Sequence, residues 1–198
     1  MSNIPVQRYA VANKIISTHL PPISIQVHES FAYAGDLQFT LFEVAHVHIF
    51  VFLVTAGTLI KRLFRVQFEG YLDNNAHTYD YSIPDRITLG AYEYMHNSAV
   101  YNLREALQQR PKSDTGQLMA YLQAKGYQLP EHVMIERFIR LLDAMKRNEV
   151  LFIYLEDLSD TGFIADDFNE GGRGLAQWQQ IGPGLLERAL SSFKIVDG

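Results

Sequence analysis

The sequence predicts an α+β fold: an antiparallel β-meander of five to six strands, with helices packed on its apolar face and a curled partial barrel as the variant. Three observations carry this expectation. Residues 42–70, FEVAHVHIFVFLVTAGTLIKRLFRVQFEG, are dominated by β-branched and aromatic side chains on either side of Ala56-Gly57, which is strand composition broken by a turn. Alternation of period two continues in HTYDYSI, 77–83. Beyond residue 96 the apolar residues recur at helical spacing, until one more apolar strand at VLFIYLE, 150–156.

Upstream, ISIQVHESF (23–31) and LQFTLFE (37–43) read as two short strands joined around Gly35-Asp36. The hairpin comes next. With its turn centred on 55–58, Leu53 faces Ile60, Val51 faces Arg62, Ile49 faces Phe64 and Val47 faces Val66. Side chains alternate across a strand, so one face collects Val47, Ile49, Val51 and Leu53 with Phe64, Val66 and Phe68. The other collects His46, His48, Phe50 and Phe52 with Arg65, Gln67 and Glu69, and places Arg65 opposite His48. A slip of one residue buries Arg65, Gln67 and Glu69, which favours this register. Asp73-Asn74-Asn75 supplies turn chemistry, and Tyr79, Tyr81 and Ile83 of a third strand join the core face. RITLGAYEY (86–94) is a further strand.

A helix is expected over 98–109, ended by Pro111, and a second one from a Ser113-Asp114 cap to about Lys125, stopped by Gly126. Pro130 opens a third, in which Met134, Phe138, Leu141, Leu142 and Met145 form an apolar stripe. The strand at 150–156 is apolar on both faces and should be central. A polar, Gly-rich loop follows at 159–174, and a last helix at 185–193. The chain reads as one domain, 1–198: mainly β over 1–95, helical over 96–148, a strand at 149–158, a loop at 159–174 and a helical end at 175–195.

With 198 residues, 47% of them apolar and 20% charged, the chain can bury a real core. Its net charge of -5 argues against a broad nucleic-acid footprint. The absence of cysteine removes disulfides, thiolate nucleophiles and Cys-zinc sites. Residues 1–22 lack the pattern of a secretory leader, so a cytoplasmic location is expected. A membrane span is not expected either. The apolar run 47–60 is 14 residues long and includes His48, Thr55, Gly57 and Thr58, whereas a spanning helix needs about 20.

Several short patterns bear on chemistry. His46-Val47-His48 places two imidazoles on one strand face, a spacing that suits a divalent metal, with Glu69 and Asp80 on the same expected face. A permanent cation at Arg65 beside them opposes it, so no metal is assigned. SDTG occurs at 113–116 and 159–162. Its Asp-Thr-Gly resembles the active-site motif of the aspartic proteases, where two aspartates share a proton. The resemblance covers only those four residues twice, and Gln117 and Phe163 stand where that family carries a small residue. A helix cap and a turn explain both copies. The acidic loop from Asp157 has Phe168 where a calcium loop needs Glu.

Three function classes follow. The first is a non-catalytic module that holds a small apolar or aromatic molecule, with His46, His48, Arg65, Glu69, Tyr79 and Tyr81 as candidate ligand-binding residues. The second is a protein-interaction or assembly subunit, in which Phe50 and Phe52 on a nominally polar sheet face are covered by a second copy or a partner. The third is a metal-dependent enzyme acting through His46 and His48. The first is favoured, with no cofactor, nucleic acid or membrane partner assigned.

Overall fold

The computed structural model describes residues 7–196. Residues 1–6 and 197–198 of the expected domain, and with them the start of the segment read for a leader, lie outside that range. The strands are β1 (Arg8–Val11), β2 (Lys14–Thr18), β3 (Pro22–Val27), β4 (Ala32–Leu41), β5 (Ala45–Ala56), β6 (Leu59–Tyr71), β7 (Arg86–Leu89), β8 (Tyr92–Asn102), β9 (His132–Leu141), β10 (Asn148–Asp157) and β11 (Phe193–Val196). The helices are α1 (Leu103–Gln109), α2 (Asp114–Ala124) and α3 (Leu175–Ser191). The α+β class is as expected, but the strand count is not. Among the described residues two open antiparallel sheets form, ordered β1-β2-β3-β11 and β4-β5-β6-β10-β9-β8-β7, and neither closes into a barrel.

The four-stranded sheet lies over one face of the seven-stranded one. Ile15, Ile25 and Phe193 meet Phe52, Phe64 and Phe152 in a single core, with Leu185 of α3 at its side. Phe193 stacks on Phe64 at 4.8 Å between centroids and meets Phe152 edge-on at 5.0 Å. Each fully buried Phe contributes roughly 1.5–3 kcal/mol through removal of apolar surface from water. The opposite face is covered at one end by the helices: Leu118, Met119 and Leu122 of α2 pack on Val47, Val51 and Leu63.

The β5–β6 hairpin turns at Gly57, whose φ of +63° suits glycine. Its register differs from the expected one. Val51 pairs with Arg65, Phe52 with Phe64, Phe50 with Val66 and His48 with Phe68, and an irregularity falls between Val54 and Thr55. The aliphatic residues of β5 therefore share a face with Leu63, Arg65, Gln67 and Glu69, while Phe50 and Phe52 share the aromatic face with Phe64, Val66 and Phe68. The expectation assumed one core face and one wet face. Both faces are covered here, so burial alone did not decide the register. Phe50 and Phe52 are 1% and 0% exposed against the protein's own second sheet, which removes the exposure that suggested an interface.

The third expected helix is β9, hydrogen-bonded between β8 and β10. Its stripe of Met134 and Phe138 fits a spacing of four, which both periods allow, and its Val, Ile and Phe content favours the strand. The helix expected from residue 98 starts at Leu103, because β8 runs on to Asn102 and the Asn102 side chain accepts from Glu105 N–H at 3.1 Å. RITLGAYEY is a hairpin of β7 and β8 turning at Gly90, φ +60°. The segment 77–83 forms no ladder; it crosses the sheet face as an extended strap, held where Tyr79 N–H donates to Lys146 C=O at 2.8 Å. Gly35 and Asp36, expected as a connection, sit inside β4 at a bulge. The last helix, Leu175–Ser191, starts before the 185–193 read from its apolar spacing and ends short of the helical end placed at 175–195, because Phe193 already belongs to β11. β10 is central, as its two apolar faces require. No helix among the described residues is long and apolar enough to cross a membrane.

Candidate functional site

Between the strap and the start of α2, the helix-side face of the large sheet is left uncovered, and a cavity of about 690 Å³ opens there. Its floor comes from strand alternation. β6 contributes Arg65, Gln67 and Glu69, β10 contributes Glu149, Leu151 and Ile153, and β9 contributes Ile135 and Arg137. The strap supplies Tyr79 and Tyr81 as one wall. Asp114 and Thr115, in the first turn of α2, supply the facing wall.

The polar floor is the consequence of the observed register. Arg65 is 4% exposed. Its Nη2 donates to Asp114 Oδ2 at 2.8 Å, while Nε and Nη1 are buried with no partner. Asp114 is presented here by the first SDTG segment: Ser113 Oγ caps α2 by accepting from Gly116 N–H at 3.1 Å, and the chain is so close that a Cβ on Gly116 would lie 2.3 Å from the Pro111 carbonyl oxygen. Burial pushes the Asp114 carboxyl up, but Arg65 and the Thr115 N–H outweigh it and hold it below its ordinary value. The second SDTG copy is elsewhere; its Asp160 pairs with Lys61 at 2.9 Å. The two aspartates thus hold separate ion pairs rather than one shared proton.

At the other end of the floor, Glu69 and Glu149 are directly opposite one another in the β6–β10 ladder. Gln67 Nε2 donates to Glu69 at 2.7 Å, Tyr79 OH to Glu69 at 3.0 Å, and Tyr81 OH to Glu149 at 2.8 Å. Tyr71, Tyr79 and Tyr81 form a stack, with centroids 4.5 and 6.3 Å apart. Burial pushes Glu149 up to about 8, with the charges of Glu69 and Asp114 adding to the rise against the Tyr81 hydrogen bond. Glu69 is raised too, chiefly by burial. Burial and the adjacent carboxylates push both tyrosine hydroxyls above their ordinary range, which keeps them donors.

Of the residues singled out by sequence, Arg65, Glu69, Tyr79 and Tyr81 come together here. His46 and His48 do not. They point to the opposite face, into a separate depression of about 570 Å³ beside Arg8. His48 Nε2 donates to Asp36 Oδ2 at 2.9 Å and its ring lies on Phe50, and burial lowers its pKa against the pull of Asp36. Arg65 is therefore not its neighbour, and Asp80 is exposed on the strap. Among the described residues no group of three or more His, Asp or Glu is placed to hold a metal ion. The residues missed were Gln67, Arg137 and Glu149. The available signal was charge inside apolar strand text, as in VMIERFI and EVLFIYL. No protein family, curated protein or solved structure matches this chain.

Proposed function

We propose that the protein is a non-catalytic binding module whose helix-side cavity holds a small amphipathic molecule with an acidic group. One observation carries the reading: Arg65 is buried on the cavity floor with two guanidinium nitrogens unpartnered. Buried donors left unmade cost about 1–3 kcal/mol, more when charged. A carboxylate from a ligand supplies the missing acceptors, and guanidinium suits it in charge and geometry. Leu151, Ile153 and Ile135 offer an apolar bed for the ligand's body, and the tyrosine stack a flat wall.

Calorimetric titration with caproate and benzoate tests this. Saturable binding is expected, weakened at least tenfold in Arg65→Met. Native mass spectrometry beside a denatured sample reports any molecule carried through purification. No binding of either probe, together with no carried mass, contradicts the reading.

A further inference from the structure

The end of the cavity away from Arg65 has the opposite chemistry. Glu69 and Glu149 face each other directly across the ladder, an arrangement that destabilises a sheet when both are charged. Their partners are neutral donors, one amide and two phenols. Among the described residues neither carboxylate forms a salt bridge with Lys, Arg or His. A third acceptor lies between the two ends. Gln67 is 1% exposed, its amide nitrogen is committed to Glu69, and its Oε1 is buried with no partner.

We propose that this cluster receives an ammonium group, so that the ligand is a zwitterion with its amine and its acid at opposite ends of a chain. The inference rests on the binding reading above and specifies its ligand. An ammonium has three donors and no acceptor. Once Glu149 releases its proton, Glu69, Glu149 and Gln67 Oε1 are three acceptors on one patch of floor, and the positive charge of the ammonium offsets the repulsion that two ionised carboxylates would otherwise feel. Arg65 and Glu69 are four positions apart on one strand, roughly 13 Å at the usual rise. Long side chains at both ends reach inward, so a shorter chain bridges them. The classes that fit are ω-amino acids and short peptides with free termini.

Three probes separate the ends: ε-aminocaproate carries both groups, caproate only the acid and hexylamine only the amine. Calorimetry should show ε-aminocaproate binding at least tenfold more tightly than either single-headed probe. In Glu69→Gln with Glu149→Gln that advantage over caproate should vanish while caproate itself still binds. A second measurement needs no variant. Glu149 faces Glu69 and Arg65 of β6, Tyr79 and Tyr81 of the strap, Asp114 of α2 and Arg137 of β9. At pH 7 it keeps its proton, which an arriving ammonium expels. The heat of ε-aminocaproate binding should therefore vary with the buffer's ionisation enthalpy, and that of caproate should not. Equal affinity for caproate and ε-aminocaproate, with no proton released, overturns the amine end and leaves the acid site standing. Failure of all three probes overturns both.

Discussion

The two faces of the seven-stranded sheet treat a buried glutamate in opposite ways. On the face under the second sheet, Glu136 is wholly buried, pairs with His96 and accepts from Ser98 Oγ at 2.8 Å. On the helix side, Glu149 is almost as buried, faces another carboxylate and accepts its side-chain hydrogen bonds from Tyr81, with no salt bridge among the described residues. Glu136 has a basic partner from its own chain. Glu149 has none, and its surroundings hold a proton on it instead. A carboxylate partnered by the fold reads as structure. One left to a proton, on the floor of a cavity, reads as a position kept for something else.

Substitutions can break or sharpen this contrast. The largest effect belongs to the aromatic face. Phe152→Ala, at a fully buried ring in contact with Phe64, Tyr94 and Phe193, should cost about 3–5 kcal/mol in urea unfolding. Next is the ion pair on the helix side. Arg65→Met alone strands Asp114 and should cost about 3 kcal/mol, whereas Arg65→Met with Asp114→Asn should be nearly neutral, since the buried guanidinium and its half-buried partner leave together.

The two glutamates then separate by pH. Between its ordinary 4.5 and about 8, the native protein keeps a proton on Glu149 that the unfolded chain has released. Stability contributed by that proton is full below 4.5 and is lost as pH rises through about 8. Glu69 acts in the same direction, while Asp114, held low, contributes stability that is lost only as pH falls below its ordinary 3.8. Glu149→Gln should flatten the decline between pH 5 and pH 8 and match or exceed wild type at pH 8, as read from urea midpoints. Glu136→Gln should instead cost about 1–3 kcal/mol through the disturbed hydrogen bonds to His96 and Ser98. The smallest effect is Tyr81→Phe, which removes one donor to Glu149 and should cost about 1 kcal/mol.

Much of the fold was legible in local chemistry: the Gly57 turn, the Ser113 cap, and a central strand at 150–156 announced by its two apolar faces. The failures share a cause. Each rested on how many faces of a sheet are buried, which depends on partners distant in sequence. The register that buries Arg65, Gln67 and Glu69 looked unfavourable because a polar floor has a use only once a cavity exists above it. β9 was hidden because Arg137 and Glu136 interrupt its alternation, and their partners Asn97 and His96 lie forty residues away. Four residues of the cavity were visible as charged or aromatic side chains in strand text. Their separation from His46 and His48 was not, since a change of register exchanges faces.

The most direct test of the cavity as an acid-binding site is nuclear magnetic resonance of the labelled protein titrated with caproate. The account predicts that the Arg65 Nε–H signal shifts and gains protection from solvent exchange, with further shifts confined to the strap tyrosines and the floor of β6, β9 and β10. Shifts centred on His46, His48 and Arg8, or an Arg65 signal that does not move at saturation, would contradict it.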